Sequence, residues 1–147
     1  MRQPARKSLI AGAVWLVLTG VSGALPVSAD DRPAESEPVV VATNAEGVQR
    51  GDMTLDSYSY TPNHLIVQAG IPVELTLTSV TILTPHNFVI KEPAAGLMVD
   101  QDVSAGKSVI VRFTPTQPGL FTFYCDKKLL FFKSHREKGM EGRLEVR

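Results

Sequence analysis

From residue 53 onward, apolar side chains recur at every second position. Val73, Leu75 and Leu77 alternate with Glu74, Thr76 and Thr78, and Val109, Val111 and Phe113 share one parity. A period of two puts successive side chains on opposite faces of an extended chain, so these runs predict half-buried β-strands. Turn residues interrupt them at Thr61-Pro62-Asn63, Gly70 to Pro72, Glu92 to Gly96, Ala105-Gly106 and Gln117-Pro118-Gly119. Short strands parted by Gly and Pro turns predict an all-β domain, an antiparallel sandwich or barrel. The least strand-like piece, Pro93 to Ser104, is expected to be an irregular loop or a short helix.

The same parity places the residues that carry chemistry. Phe121, Phe123 and Cys125 fall on one face of the last long run, and His86 shares a side with Phe88 and Ile90. With the aromatic faces inward, a thiol and an imidazole point into one end of the domain. Leu144 and Val146 alternate with Arg143, Glu145 and Arg147 and predict a closing strand, so Met140 stands just before it. His64 opposes the parity of Leu65 and Val67 and is expected to face solvent, outside any site.

The N-terminal 29 residues read differently. Arg2, Arg6 and Lys7 precede an apolar run from Leu9 to Leu25, and Val27-Ser28-Ala29 supplies the small residues of a cleavage site, the layout of a secretory signal peptide. An uncleaved leader would act as a membrane anchor. Residues 30–51, rich in Asp, Glu, Pro, Ala and Gly, are expected to be a flexible tether with a possible edge strand at Val39-Val40-Val41, leaving residues 52–147 as the domain. Without the leader, 12 Lys and Arg face 15 Asp and Glu, a net charge of about −3. That balance offers no concentrated basic face for nucleic acid.

Export sharpens the meaning of the single cysteine. Cys125 has no partner for an internal disulfide, so in an oxidising compartment the thiol must be buried, metal-bound, reactive or paired with another chain. A binuclear copper centre bridged by two cysteines is excluded. One thiolate, two imidazoles and a thioether form the His2Cys plane and long axial Met of a mononuclear copper site.

The order Pro85-His86-Asn87-Phe88, then Phe123-Tyr124-Cys125, then His135-Arg136-Glu137-Lys138-Gly139-Met140 resembles the cupredoxin family of blue-copper proteins. The resemblance implies a Greek-key β-sandwich, His86, Cys125 and His135 as equatorial ligands of one copper ion, and Met140 as the axial one. It further implies that Asn87 ties the ligand loops together near the sulfur, and that His135 offers an exposed edge for the electron. The expected function is one-electron transfer, without substrate conversion, in the periplasm or another extracytoplasmic space. The expected partners are a cytochrome or a membrane oxidoreductase, and the protein itself is expected to be a monomer. A periplasmic Cu(I) carrier using the same soft ligands is the alternative; a metal-free assembly module is the third reading.

The spacing departs from the family, in which only a few residues usually separate the Cys from the second His. Here nine residues intervene, Asp126-Lys127-Lys128-Leu129-Leu130-Phe131-Phe132-Lys133-Ser134. Doubling a loop costs only about 0.6 kcal/mol in closure entropy, so the insertion permits the site. It makes Asp126 a candidate oxygen ligand. It also presents four apolar residues flanked by lysines, which either fold over the core or form an exposed docking patch.

Overall fold

The computed structural model describes residues 36–147. The expected leader and the first part of the expected tether lie outside them. The described chain is an all-β sandwich of two sheets. Its ten strands are β1 (Val39–Val40), β2 (Gln49–Asp56), β3 (Ser59–Thr61), β4 (His64–Val67), β5 (Val73–Ser79), β6 (His86–Glu92), β7 (Leu97–Val103), β8 (Ser108–Phe113), β9 (Gly119–Tyr124) and β10 (Glu141–Val146). One sheet runs β1-β4-β10-β9-β6-β7 and the other β3-β2-β5-β8. Single 3-10 turns occupy Pro93–Ala95 and Arg136–Lys138.

Alternation holds where a strand has one wet face. Val73, Leu75 and Leu77 of β5 are buried, as are Leu144 and Val146 of β10. It fails in β6, whose first five residues, His86 to Ile90, are buried at both parities. Between the sheets an aromatic group anchors the core: the Phe88 and Phe123 rings stack at 5.0 Å, and Tyr60 meets Phe123 edge-on at 5.1 Å.

Four expectations are corrected. First, the pairing is mixed rather than antiparallel, because β1 with β4, β4 with β10 and β2 with β5 run parallel. Periodicity reports which face is wet and carries no information on strand direction, which follows from how the chain crosses between sheets. Second, the fold begins upstream of residue 52. Val41 is buried, and the wholly buried Gln49 accepts the Gln68 N–H at 2.7 Å and donates to the carbonyls of Gln68 and Ile71. The polar composition of this stretch serves a turn, in which the Asn44 side chain accepts the N–H groups of Glu46 and Val48.

Third, most of Pro93 to Ser104 is strand. β7 is a sheet edge with Asp100 and Asp102 on its exposed positions, and acidic residues there lower apparent β-propensity while discouraging edge-to-edge association. Fourth, His64 does not face open solvent. Its side chain is 12 % exposed and its Nε2 lies 3.4 Å from Glu145, because β10 lies beside β4.

Gly142 shows how tightly the ligand end is packed. A Cβ there would stand 2.5 Å from the Asn63 carbonyl oxygen and would collide with the Phe123 ring. Gly142→Ala must push Phe123 or the backbone aside, which typically costs about 1–3 kcal/mol. Urea denaturation should show a lowered midpoint of that size; an unchanged midpoint would mean that the Phe123 pocket yields freely.

Candidate metal centre

Three separate segments converge on one end of the sandwich. β6 opens with His86, Cys125 directly follows β9, and His135 stands at the start of the Arg136–Lys138 turn that leads into β10. One ligand atom from each of His86, Cys125 and His135 lies within 4.8 Å of the others, and all three side chains are buried. Cys125 Sγ is 3.3 Å from His135 Nδ1, and the two imidazole rings are 5.1 Å apart. Met140 is fully buried, and its main chain joins both neighbours: its N–H donates to the His135 carbonyl at 2.9 Å, and its carbonyl accepts the Cys125 N–H at 3.1 Å.

Asn87 fastens these segments together. Its backbone N–H points at Cys125 Sγ at 3.5 Å, and its carbonyl accepts the Tyr60 hydroxyl at 2.6 Å. Its side-chain amide donates to Asp126 at 2.8 Å and to Asp100 at 3.1 Å, while its side-chain oxygen accepts the Asp126 N–H at 3.1 Å. The Asp126 carboxylate is thereby engaged in holding the loop, and Asp126 is not among the residues whose ligand atoms converge. Its candidacy as an oxygen ligand is not supported.

The His86 ring is oriented from its other side. Thr81 Oγ1 donates to the Thr84 carbonyl at 2.6 Å, which uses its proton, so toward His86 Nε2 at 3.5 Å it can only accept. That long contact favours the tautomer with the proton on Nε2 and leaves a lone pair on Nδ1. Among the described residues, His86 Nδ1 is a buried nitrogen with no hydrogen-bond partner. Buried polar atoms are rarely left so, and an outer hydrogen bond that fixes the tautomer is the usual setting of a ligating histidine.

Burial sets the protonation states. Desolvation, with a smaller contribution from His135, holds the His86 imidazole down at about 4, and burial followed by the charge of Lys138 lowers His135. Burial also pushes the Cys125 thiol up, against the opposing hydrogen bond from the Asn87 N–H. Both imidazoles are therefore neutral and able to donate at neutral pH. A soft thiol and two neutral imidazoles, with the buried Met140 bonded through its main chain to both Cys125 and His135, are a donor set that fits copper better than a hard cation.

His135 is less accessible than expected. It is 6 % exposed, with the Tyr58 ring edge-on at 5.1 Å, and Lys138 Nζ donates to the Tyr58 hydroxyl at 3.0 Å. The nine-residue excursion is also more constrained than its length implies. The His135 N–H donates to the Lys127 carbonyl at 2.8 Å, closing a neck beneath residues 128–134. Ser134 and Glu137 complete a reciprocal cap, the Ser134 N–H and hydroxyl donating to the Glu137 carboxylate and the Glu137 N–H to the Ser134 hydroxyl. This Ser-x-x-Glu spacing was visible in the sequence as a capping box. Tyr58, Tyr60 and Thr81 carried no such local signal.

The model of the cupredoxin-like domain family matches residues 9–140. The chain belongs to the cupredoxin family. Solved structures agree at the level of the fold. The metal-binding domain of the Cu(I)-exporting P-type ATPase CopA of Streptococcus pneumoniae D39, solved with Cu(I), is 23 % identical, with a TM-score of 0.55 over 75 % of this chain and 95 % of that one. Auracyanin B is 20 % identical with a TM-score of 0.55, covering 73 % and 94 %. A multicopper oxidase is 18 % identical with a TM-score of 0.56, covering 71 % of this chain and 45 % of that one. No curated protein sequence matched. This cupredoxin therefore shares a scaffold with auracyanin B, the metal-binding domain of a Cu(I) exporter and a multicopper oxidase.

Two tests follow from the geometry. Asn87→Ala keeps the main-chain carbonyl that holds Tyr60 but deletes the three side-chain hydrogen bonds to Asp126 and Asp100, and it should cost about 1–3 kcal/mol, since each such bond typically contributes about 1 kcal/mol. A loss below measurement error would show that the two ligand segments do not depend on the cross-link. Acid should weaken the metal-free protein as well. The unfolded His86 takes up a proton as pH falls below its ordinary 6.5, whereas the native one resists until about 4, so stability is lost across that window and is regained as pH rises. Denaturation at pH 7 and pH 5.5 should show the drop, and His86→Gln should shrink it.

Proposed function

We propose that this cupredoxin is an exported protein that holds one copper ion through His86, Cys125, His135 and Met140 and carries single electrons between redox partners. The observation that carries the reading is the ready-assembled, buried cluster of His86, Cys125 and His135, with His86 Nδ1 left unpartnered. When bound, copper supplies the one-electron chemistry. The chain's part is to keep the donors in place in either oxidation state, exclude water and present neutral imidazoles.

The same features support cycling over delivery. A carrier that hands its ion to an acceptor protein gains from an open ligand, yet Cys125 is fully buried and His135 is roofed by Tyr58. Asn87 and the capped turn further restrict opening. The Cu(I)-carrier alternative predicts rapid loss of the ion to an acceptor, which this packing disfavours. A cytochrome or a membrane oxidoreductase is the kind of partner that electron transfer requires.

Adding Cu(II) to the reduced protein should produce an intense thiolate-to-copper band with stoichiometric uptake, and Cys125→Ser should abolish the band. A reversible one-electron couple completes the assignment. Failure of the wild type to take up copper would overturn it. Tight Cu(I) binding with fast release and no reversible couple would replace it with the carrier.

A further inference from the structure

Residues 128–134 project beyond the neck closed by Lys127 and His135. The Phe132 N–H donates back to the Leu129 carbonyl at 3.0 Å, and Leu130 takes a φ of 49°, so the tip is a tight turn. Leu129, Leu130, Phe131 and Phe132 are 68, 73, 87 and 54 % exposed. They do not fold over the core, the first of the two readings the sequence left open. Phe131 and Phe132 stack on each other at 4.9 Å. Lys128 and Lys133 flank the four, both exposed, and no acidic residue lies between Lys127 and Ser134.

A second apolar loop emerges at the same end. Ile82 and Leu83, 89 and 87 % exposed, lie in the segment that runs directly into His86. Exposed Lys107 sits beside that segment, its carbonyl accepting the Ser79 N–H. The ligand end thus carries two apolar loops, each accompanied by lysine.

We propose that this end docks on an anionic lipid surface, with Leu129 to Phe132 inserted among the acyl chains and Lys128 and Lys133 at the level of the phosphates. Four consecutive aliphatic and aromatic side chains on a narrow convex turn suit a fluid medium that closes around them. A folded protein would need a matching socket. The lysines give the charge complementarity, since basic residues next to an apolar insertion are attracted to anionic headgroups. Docking in this pose turns the His86, Cys125 and His135 cluster toward the membrane, where an embedded redox partner would sit. The lipid contact itself does not depend on copper.

The N-terminal apolar run could hold the full chain on vesicles by itself, so the measurement must report from the tip. In full-length Trp15→Phe protein, Phe131→Trp places the sole indole there. Vesicles of phosphatidylglycerol and phosphatidylcholine should blue-shift its emission, and brominated acyl chains should quench it. Pure phosphatidylcholine, or the added pair Lys128→Glu and Lys133→Glu, should weaken the effect at least tenfold in lipid concentration. Absence of shift and quenching on anionic vesicles would overturn the proposal, as would a concentration-dependent shift without vesicles, which would assign the tip to a second copy of the chain. A shift seen only with an added redox protein would assign it to that partner and overturn it too. Repeating the titration with copper-loaded and metal-free protein separates this result from the copper assignment, and an unchanged far-UV circular dichroism spectrum checks that the tip variants are folded.

Discussion

Asn87 commits both its main chain and its side chain to structures that lie far from it in sequence. Its N–H reaches the Cys125 sulfur, its carbonyl receives Tyr60, and its amide spans Asp126 and Asp100. One residue therefore joins the strand that opens with His86, the segment that carries the thiol, the short strand of the opposite sheet and the sheet edge. Because Asn87 and Tyr60 are buried, releasing these contacts would leave their own polar groups without water to replace them. The separation of the two principal donors is held by that network and by the Phe88–Phe123 stack beneath it.

The long ligand loop is reconciled with a compact site by the same means. Hydrogen bonds from His135 to Lys127 and from Met140 to His135 restore the closeness that a short loop would impose covalently, and the Ser134–Glu137 cap fixes the turn on which His135 stands. The additional residues are consequently extruded, and their apolar side chains meet solvent. A longer loop costs little closure entropy once its neck is bonded. Insertion at this point leaves the donors where they are and adds a surface to the ligand end.

Burial of the donors has two consequences that pull in one direction. It keeps both imidazoles neutral and it keeps the thiol protonated until something displaces the proton. The three buried donor side chains of the metal-free site are therefore uncharged at neutral pH, which makes their burial tolerable. Tyr58, held by Lys138, completes the roof over His135.

The sequence by itself determined the β character of the domain, because alternation is a direct consequence of a half-buried extended chain. It also determined the donor types and their order, and, through parity, the inward aim of His86 and Cys125. Asn87 was legible from its place after His86, and the capping box could have been read from Ser134 and Glu137. Tertiary structure alone decided the parallel pairings, the burial of both faces of β6, the strand at Leu97 to Val103 and the inclusion of Val41 and Gln49 in the core, because none of these is a property of local periodicity. It also decided that Asp126 serves Asn87, that Thr81 orients His86, that Tyr58 covers His135 and that the apolar excursion points outward. Each of these depends on which distant backbone happens to lie opposite, and a linear pattern does not record that.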